Sequence, residues 1–164
     1  MYRLFTAQLP PGDTRREREQ SAVRGLLVEA FGPGAQLGHT PEGAPYIIGV
    51  GDVHISISHC ADMAVLVVSD RPIGVDVETL RPQLRKVASR FLSPEEALRN
   101  PDLPTLMALW TIKEAVYKAA LTPGLPLTSI TTNPAMTEAT AGQMRFGLDV
   151  TVEPDRALTV AYFL

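Results

Sequence analysis

The order of signals along the chain predicts an α+β fold of two similar halves, each a helix packed on a small antiparallel sheet, within one 164-residue domain. Three observations predict it. A charged-then-apolar helical segment follows a first short strand. Three strand-length segments then crowd between residues 53 and 78, and a long helix is followed by chain in which β-branched residues dominate. The halves are expected at about residues 1–70 and 71–164.

Residues 2–8 alternate loosely and stop at Pro10-Pro11-Gly12, a short strand running into a turn. From Thr14 to Phe31, Val23, Leu26, Leu27 and Ala30 recur at helical spacing, and Gly32-Pro33-Gly34 ends the helix. The Gly- and Pro-rich stretch 38–51 reads as loop with a short strand near Tyr46–Ile48. Val53–Ser58, Ala64–Ser69 and Ile73–Glu78 read as neighbouring antiparallel strands, the last two joined by Asp70-Arg71-Pro72. Ser93-Pro94-Glu95-Glu96 carries a Ser cap, Pro at the first helical position and Glu at the third, which together satisfy otherwise unpaired N–H groups. A longer helix starts near Pro104 and runs to Pro123-Gly124, and Gln143–Val152 and Ala157–Phe163 follow as strands paired across Glu153–Arg156.

Composition removes several function classes. The net charge of −3 gives no basic field for nucleic acid, so none is expected as a partner. The longest apolar runs, such as Met63–Val68, are strand-length and far short of the roughly 20 residues of a bilayer span, so no membrane association is expected. Met1–Gln8 has no apolar stretch of signal-peptide length and the one cysteine, Cys60, has no internal partner, so the expected compartment is the cytoplasm.

Four constellations can carry chemistry. In Ile73-Gly74-Val75-Asp76-Val77-Glu78, strand alternation sets Asp76 and Glu78 on one face, where a hard divalent cation would relieve their repulsion. Taken alone, such a pair is also the ordinary solvated face of a half-buried strand. In the long helix, Glu114 and Lys118 share a face and Lys113 lies about 100° round from Glu114. A Glu-to-Lys surface pair reads the same way, but the chain holds three lysines against twelve arginines and two of the three are here. Retaining lysine suggests that a compact ammonium is wanted, for phosphate charge or proton transfer.

Ser56, Ser58 and His59 end a strand with hydroxyl and imidazole donors suited to phosphate, or to a plain turn. Adjacent Ser58 and His59 do not make a nucleophile–base dyad, Cys60 has no feature that lowers its pKa, and His39 and His54 lack metal-ligand spacing. Finally, Arg81, Arg85, Lys86, Arg90 and Arg99 stand against Glu95 and Glu96, a local basic excess in an acidic chain that reads as a solvated face or as a dock for an acidic partner.

Gly74-Val75-Asp76-Val77-Glu78, Arg90-Phe91-Leu92-Ser93, and Trp110-Thr111-Ile112-Lys113-Glu114-Ala115 with Lys118 together resemble the 4'-phosphopantetheinyl transferase superfamily. Gly43-Ala44-Pro45 and Ser56-Ile57-Ser58-His59 match two further motifs of its longer, surfactin-synthetase-activating type, so the resemblance covers roughly residues 40–120.

The resemblance implies the fold of two α+β halves with coenzyme A between them, here with a shortened N-terminal half. It implies transfer of the phosphopantetheine arm of coenzyme A to a serine of an acyl or peptidyl carrier protein, releasing adenosine 3',5'-bisphosphate. Asp76, Glu78 and Glu114 would hold Mg²⁺, Glu114 would also be the base for the carrier serine, and Lys118 would assist proton transfer or stabilise the leaving group. Lys113, Ser58, His59, Gly43 and Pro45 would contact coenzyme A, and Arg81, Arg85 and Lys86 would face the carrier, with the enzyme working as a monomer. Ala44 stands where the family usually has Lys, and Gln20 falls where relatives often have a phosphate-binding Arg, with Arg16, Arg18 and Arg24 nearby. Two rival readings are a carrier-binding module without turnover and a Mg²⁺-dependent phosphoesterase.

Overall fold

A computed structural model describes residues 1–164. Two antiparallel sheets and two long helices form four layers. The first sheet has the order β1 (Tyr2–Gln8), β5 (Met63–Ser69), β4 (His54–His59). Helix α1 (Arg15–Phe31) lies on it, started by a capping box in which Thr14 and Glu17 satisfy each other's backbone N–H groups. Leu26 and Leu27 of α1 pack with Ile55, Ala64, Leu66 and Val68. A hairpin of β2 (Leu37–His39) and β3 (Pro45–Ile47) projects beside β4; its turn needs positive φ at Gly43 (+90°), which glycine supplies without steric cost.

The second sheet has the order β6 (Ile73–Thr79), β10 (Arg156–Phe163), β9 (Met144–Val152), β8 (Glu138–Ala141), β7 (Ile130–Thr132). Helix α4 (Leu103–Ala120) covers one face, burying Ile112, Ala115, Val116 and Ala119 against Ala139, Ala141, Phe146, Leu148 and Ala161. The other face meets the first sheet, where Val65 and Val67 pack on Val75, Val77 and Val160. Two short helices, α2 (Leu84–Val87) and α3 (Pro94–Leu98), join β6 to α4 and enclose Leu84, Phe91, Leu106, Met107 and Leu109.

The α+β fold is therefore present, with antiparallel sheets and a helix on each. One expected pairing is corrected. Ala64–Ser69 and Ile73–Glu78 are not a hairpin: β5 stays in the first sheet and β6 pairs with β10, Asp76 opposite Thr159. Pro72 cannot donate a ladder hydrogen bond, and the chain changes sheet across it.

The free edge of β6 is satisfied by side chains. Val75 and Val77 donate their N–H groups to the hydroxyls of Ser56 (3.0 Å) and Ser58 (3.3 Å), and the Val75 carbonyl accepts from Lys118 Nζ (2.9 Å). Backbone groups that would otherwise be buried without partners, or left as an open strand edge, are thus satisfied, and the two serine bonds join the first sheet to the second.

Candidate active site

The site grows from the contact of β6 with α4. Gly74, Asp76 and Glu78 face the helix, and a Cβ on Gly74 would overlap the Ala115 carbonyl, so glycine here is what lets α4 come this close. The carboxylate face of β6 is consequently covered, not solvated: Asp76 is buried and Glu78 half-buried.

Asp76 Oδ1 accepts from both Ser58 Oγ and Lys118 Nζ, each at 2.8 Å. Its second oxygen, Oδ2, is buried and has no partner. Glu78 Oε1 accepts from Arg81 (2.7 Å) and from the Trp110 indole (3.1 Å). Burial pushes the Glu78 carboxyl up against the opposing pull of Arg81 and Trp110, and the Asp76 charge adds to the rise. Glu114, half-buried on the same side of α4 as Lys118, is raised first by burial and then by the Asp76 charge, with Glu78 adding to it and Lys118 opposing.

The Asp76 charge thus makes ionisation of both Glu78 and Glu114 more costly in a half-buried place, and one Asp76 oxygen is bare. No three His, Cys, Asp or Glu side chains are grouped so that they could hold a metal ion by themselves. An open site is what Mg²⁺ favours, because it keeps several waters and is held through one or two carboxylates plus substrate phosphates. The donor set fits that ion.

Lys118 connects these carboxylates to a cleft of about 1380 Å³. On one side the cleft is walled by Arg16, Gln20 and Arg24 of α1; His59 and the Thr40–Pro45 turn contribute further wall, and the last turn of α4 supplies Tyr117 and Lys118, with Leu121 just after it. The volume exceeds the roughly 300–1,000 Å³ of ordinary small-molecule pockets and leaves room for a large ligand.

The segment holding β6, α4 and most of the second sheet is what known proteins share. A family model described as the 4'-phosphopantetheinyl transferase superfamily matches residues 72–154, just over half of the chain. The chain belongs to that superfamily. A 4'-phosphopantetheinyl transferase of Bacillus subtilis is 35% identical over 107 residues, covering 60% of this chain and 48% of the relative. The 4'-phosphopantetheinyl transferase Sfp of Bacillus subtilis strain 168 is 32% identical over 82 residues, 46% of this chain and 37% of its own. Enterobactin synthase component D of Escherichia coli K12 is 33% identical over 76 residues, 42% and 37% respectively. The chain spans about half the length, or less, of these curated relatives.

In this phosphopantetheinyl transferase superfamily member the structure brings together Asp76, Glu78, Lys118 and Glu114, and places Gly43, Pro45 and His59 on the cleft wall. His59 is partly exposed, with Nδ1 3.2 Å from Glu19, which Arg15 also holds. Of the arginines near Gln20, Arg16 and Arg24 line the cleft, whereas Arg18 turns away to the Pro10 carbonyl.

Two placements correct the sequence reading. Lys113 has no exposed surface; its ammonium is 2.7 Å from Glu96 of α3 and donates to the Ile130 carbonyl of β7, so it is a core cation on the side of α4 away from the cleft. Ser58 is buried with its hydroxyl committed to Asp76 and Val77, so it is not free to contact a phosphate.

Glu96 is the partner that the sequence concealed. It caps Ser93 with one oxygen, and with the other accepts from the Thr132 N–H and hydroxyl. Burial raises its carboxyl, yet the Lys113 ammonium and these donors outweigh that and hold it below the usual glutamate range. Lys113 is also lowered, by burial, against the pull of Glu96. The several fixed donors on Glu96 decide for the ionised pair.

Proposed function

We propose that the protein transfers the 4'-phosphopantetheine arm of coenzyme A to a serine of an acyl or peptidyl carrier protein, with Mg²⁺, and releases adenosine 3',5'-bisphosphate. The observation that carries this reading is Lys118, which stands on the wall of a cleft of about 1380 Å³ and holds one oxygen of Asp76 while the other is left bare. One or two carboxylates of the cluster Asp76, Glu78 and Glu114 would hold the cation together with the substrate phosphates, and the bound cation would neutralise charge on the pyrophosphate. The serine oxygen of the carrier attacks the phosphorus next to pantetheine. The new P–O bond replaces the bridging P–O bond, and adenosine 3',5'-bisphosphate leaves with that electron pair.

Glu114, whose carboxyl is raised from its ordinary value by burial and by the Asp76 charge, takes the serine proton. Lys118 places its ammonium where charge grows on the leaving group. Gly43, Pro45 and His59 are the coenzyme A contacts of this reading, with Arg16 and Arg24 facing the same space. Arg85 and Lys86 are exposed on α2 and offer positive charge to an acidic carrier, whereas Arg81 is drawn inward to Glu78. Residues 1–164 act as one domain dividing near residue 70, and both sheets beside the cleft come from one chain, which supports a working monomer. No helix is long and apolar enough to cross a membrane, and the free thiol of buried Cys60 supports a cytoplasmic setting.

The test follows the nucleotide product by chromatography. Release of adenosine 3',5'-bisphosphate that needs both Mg²⁺ and an intact carrier serine is expected. Release without any carrier would reassign the protein as a phosphoesterase, and coenzyme A and carrier binding without release would make it a docking module.

A further inference from the structure

The Ser58 hydroxyl has one proton and uses it in a fixed direction. Because its oxygen accepts from the Val77 N–H (3.3 Å), the proton is left to point at Asp76 Oδ1, 2.8 Å away. Lys118 lands on the same oxygen. Both donors therefore saturate Oδ1, and the carboxylate is held with Oδ2 buried, unpartnered and turned from them. Ser56, two residues earlier on the same face of β4, accepts the equivalent N–H from Val75 but has no carboxylate partner. The two serines make the same seam contact with β6, and only one of them also touches an acid.

We propose that Ser58 is a positioning residue: by fixing Oδ1 of Asp76 from the N-terminal half, it presents Oδ2 to a divalent cation at the junction of the halves. This rests on the cation-dependent reading above. A hydroxyl on the first sheet thus sets the orientation of a ligand on the second, so the geometry of the cation site depends on the seam being closed. Partners of this kind, which orient a ligating group without touching the metal, typically carry about 10-fold to 100-fold in affinity.

The experiment titrates Mn²⁺ into the wild-type chain and into Ser58→Ala, Ser56→Ala and Asp76→Asn, with and without coenzyme A. Free Mn²⁺ is read by electron paramagnetic resonance and folding by thermal melts. Ser58→Ala and Ser56→Ala each orphan one β6 N–H and should both lose stability, Ser58→Ala the more because its bond to Asp76 goes too. Only Ser58→Ala should lose cation affinity, by about 10-fold or more, with Ser56→Ala close to wild type. Equal Mn²⁺ affinity in the two serine variants overturns the positioning role, as does an equal loss in both. If Ser58→Ala does not fold, Ser58→Cys keeps the side-chain volume with a poorer donor, and the same ordering against Ser56→Ala is required. Wild-type protein that binds no Mn²⁺ even with coenzyme A fails at the earlier step and overturns the cation reading itself. Wild-type binding undiminished in Asp76→Asn removes Asp76 as a ligand and the role of Ser58 with it.

Discussion

Lys118 Nζ stands 2.8 Å from Asp76 Oδ1 and also donates to the Val75 carbonyl, so one ammonium ties the end of α4 to both the backbone and the carboxylate of β6. The pair sits where the cleft meets the acidic cluster. Its asymmetry, with Oδ1 doubly bonded to donors and Oδ2 bare, is what an open cation site needs.

Asp76→Asn should therefore reduce Mg²⁺-dependent transfer by about 100-fold or more, the scale of losing a positioned charged group in a transition state. Coenzyme A affinity without metal should change little, and circular dichroism should show the fold retained. Initial rates at saturating carrier check this, and turnover near wild type contradicts the ligand assignment.

Lys118→Ala should lower kcat much more than it raises KM for coenzyme A, because charge on the leaving group develops in the transition state and not in the bound substrate. A rise in KM with unchanged kcat would make Lys118 a ground-state contact instead.

Lys113→Met should act on stability. Removing one partner of a buried pair leaves Glu96 as an uncompensated charge, costing about 3–5 kcal/mol, while coenzyme A affinity stays as it was. Urea denaturation and calorimetric titration separate the two effects. Glu96 also gives the pair a pH signature. Its folded carboxyl lies below the ordinary glutamate value of 4.5, so its contribution is fully present above that value and is lost as pH falls through the lower folded one. The Glu96→Gln variant should show a flatter loss of stability in that acid window.

Elements that bury a regular face are legible in the sequence, and contacts made between sheets are not. Periodicity located α1, β4, β5, β6 and α4, because each buries one clear face or a whole apolar run, and β1, which half-buries Phe5 and Ala7 in alternation. It also set Glu114 and Lys118 on one side of their helix, but it could not say that Lys113 points into the core. A lysine on a helix reads as solvated, and its partner Glu96 was already explained as a cap; only the packing of α3 and β7 brings them together. Ser58 likewise looked like a free donor, since the carboxylate that consumes it lies in another sheet. β7 and β8 are too short to show alternation, and their place at the far edge comes from tertiary pairing. The β5–β6 hairpin was expected because neighbours in sequence usually pair, and it is replaced by the β6–β10 pairing.

Gly74→Ala should be among the most damaging small substitutions, because the new Cβ would meet the backbone of α4, which cannot swing aside. A loss of about 1–3 kcal/mol or more is expected from such overpacking, together with loss of transfer as α4 lifts from Asp76. A melting temperature equal to wild type would show that the helix sits less closely than described.

Arg85→Glu reverses an exposed charge of the basic segment. It should raise KM for the carrier several-fold, with an effect that shrinks as salt is added, and leave coenzyme A binding unchanged. An unchanged carrier KM would leave Arg85 as plain surface.

The most direct test of the account is the intact mass of a panel of apo carrier proteins after incubation with this protein, coenzyme A and Mg²⁺. The account predicts a gain of one phosphopantetheine on a serine of at least one carrier, abolished by chelator and by Asp76→Asn. No gain on any carrier, with coenzyme A demonstrably bound, would contradict it.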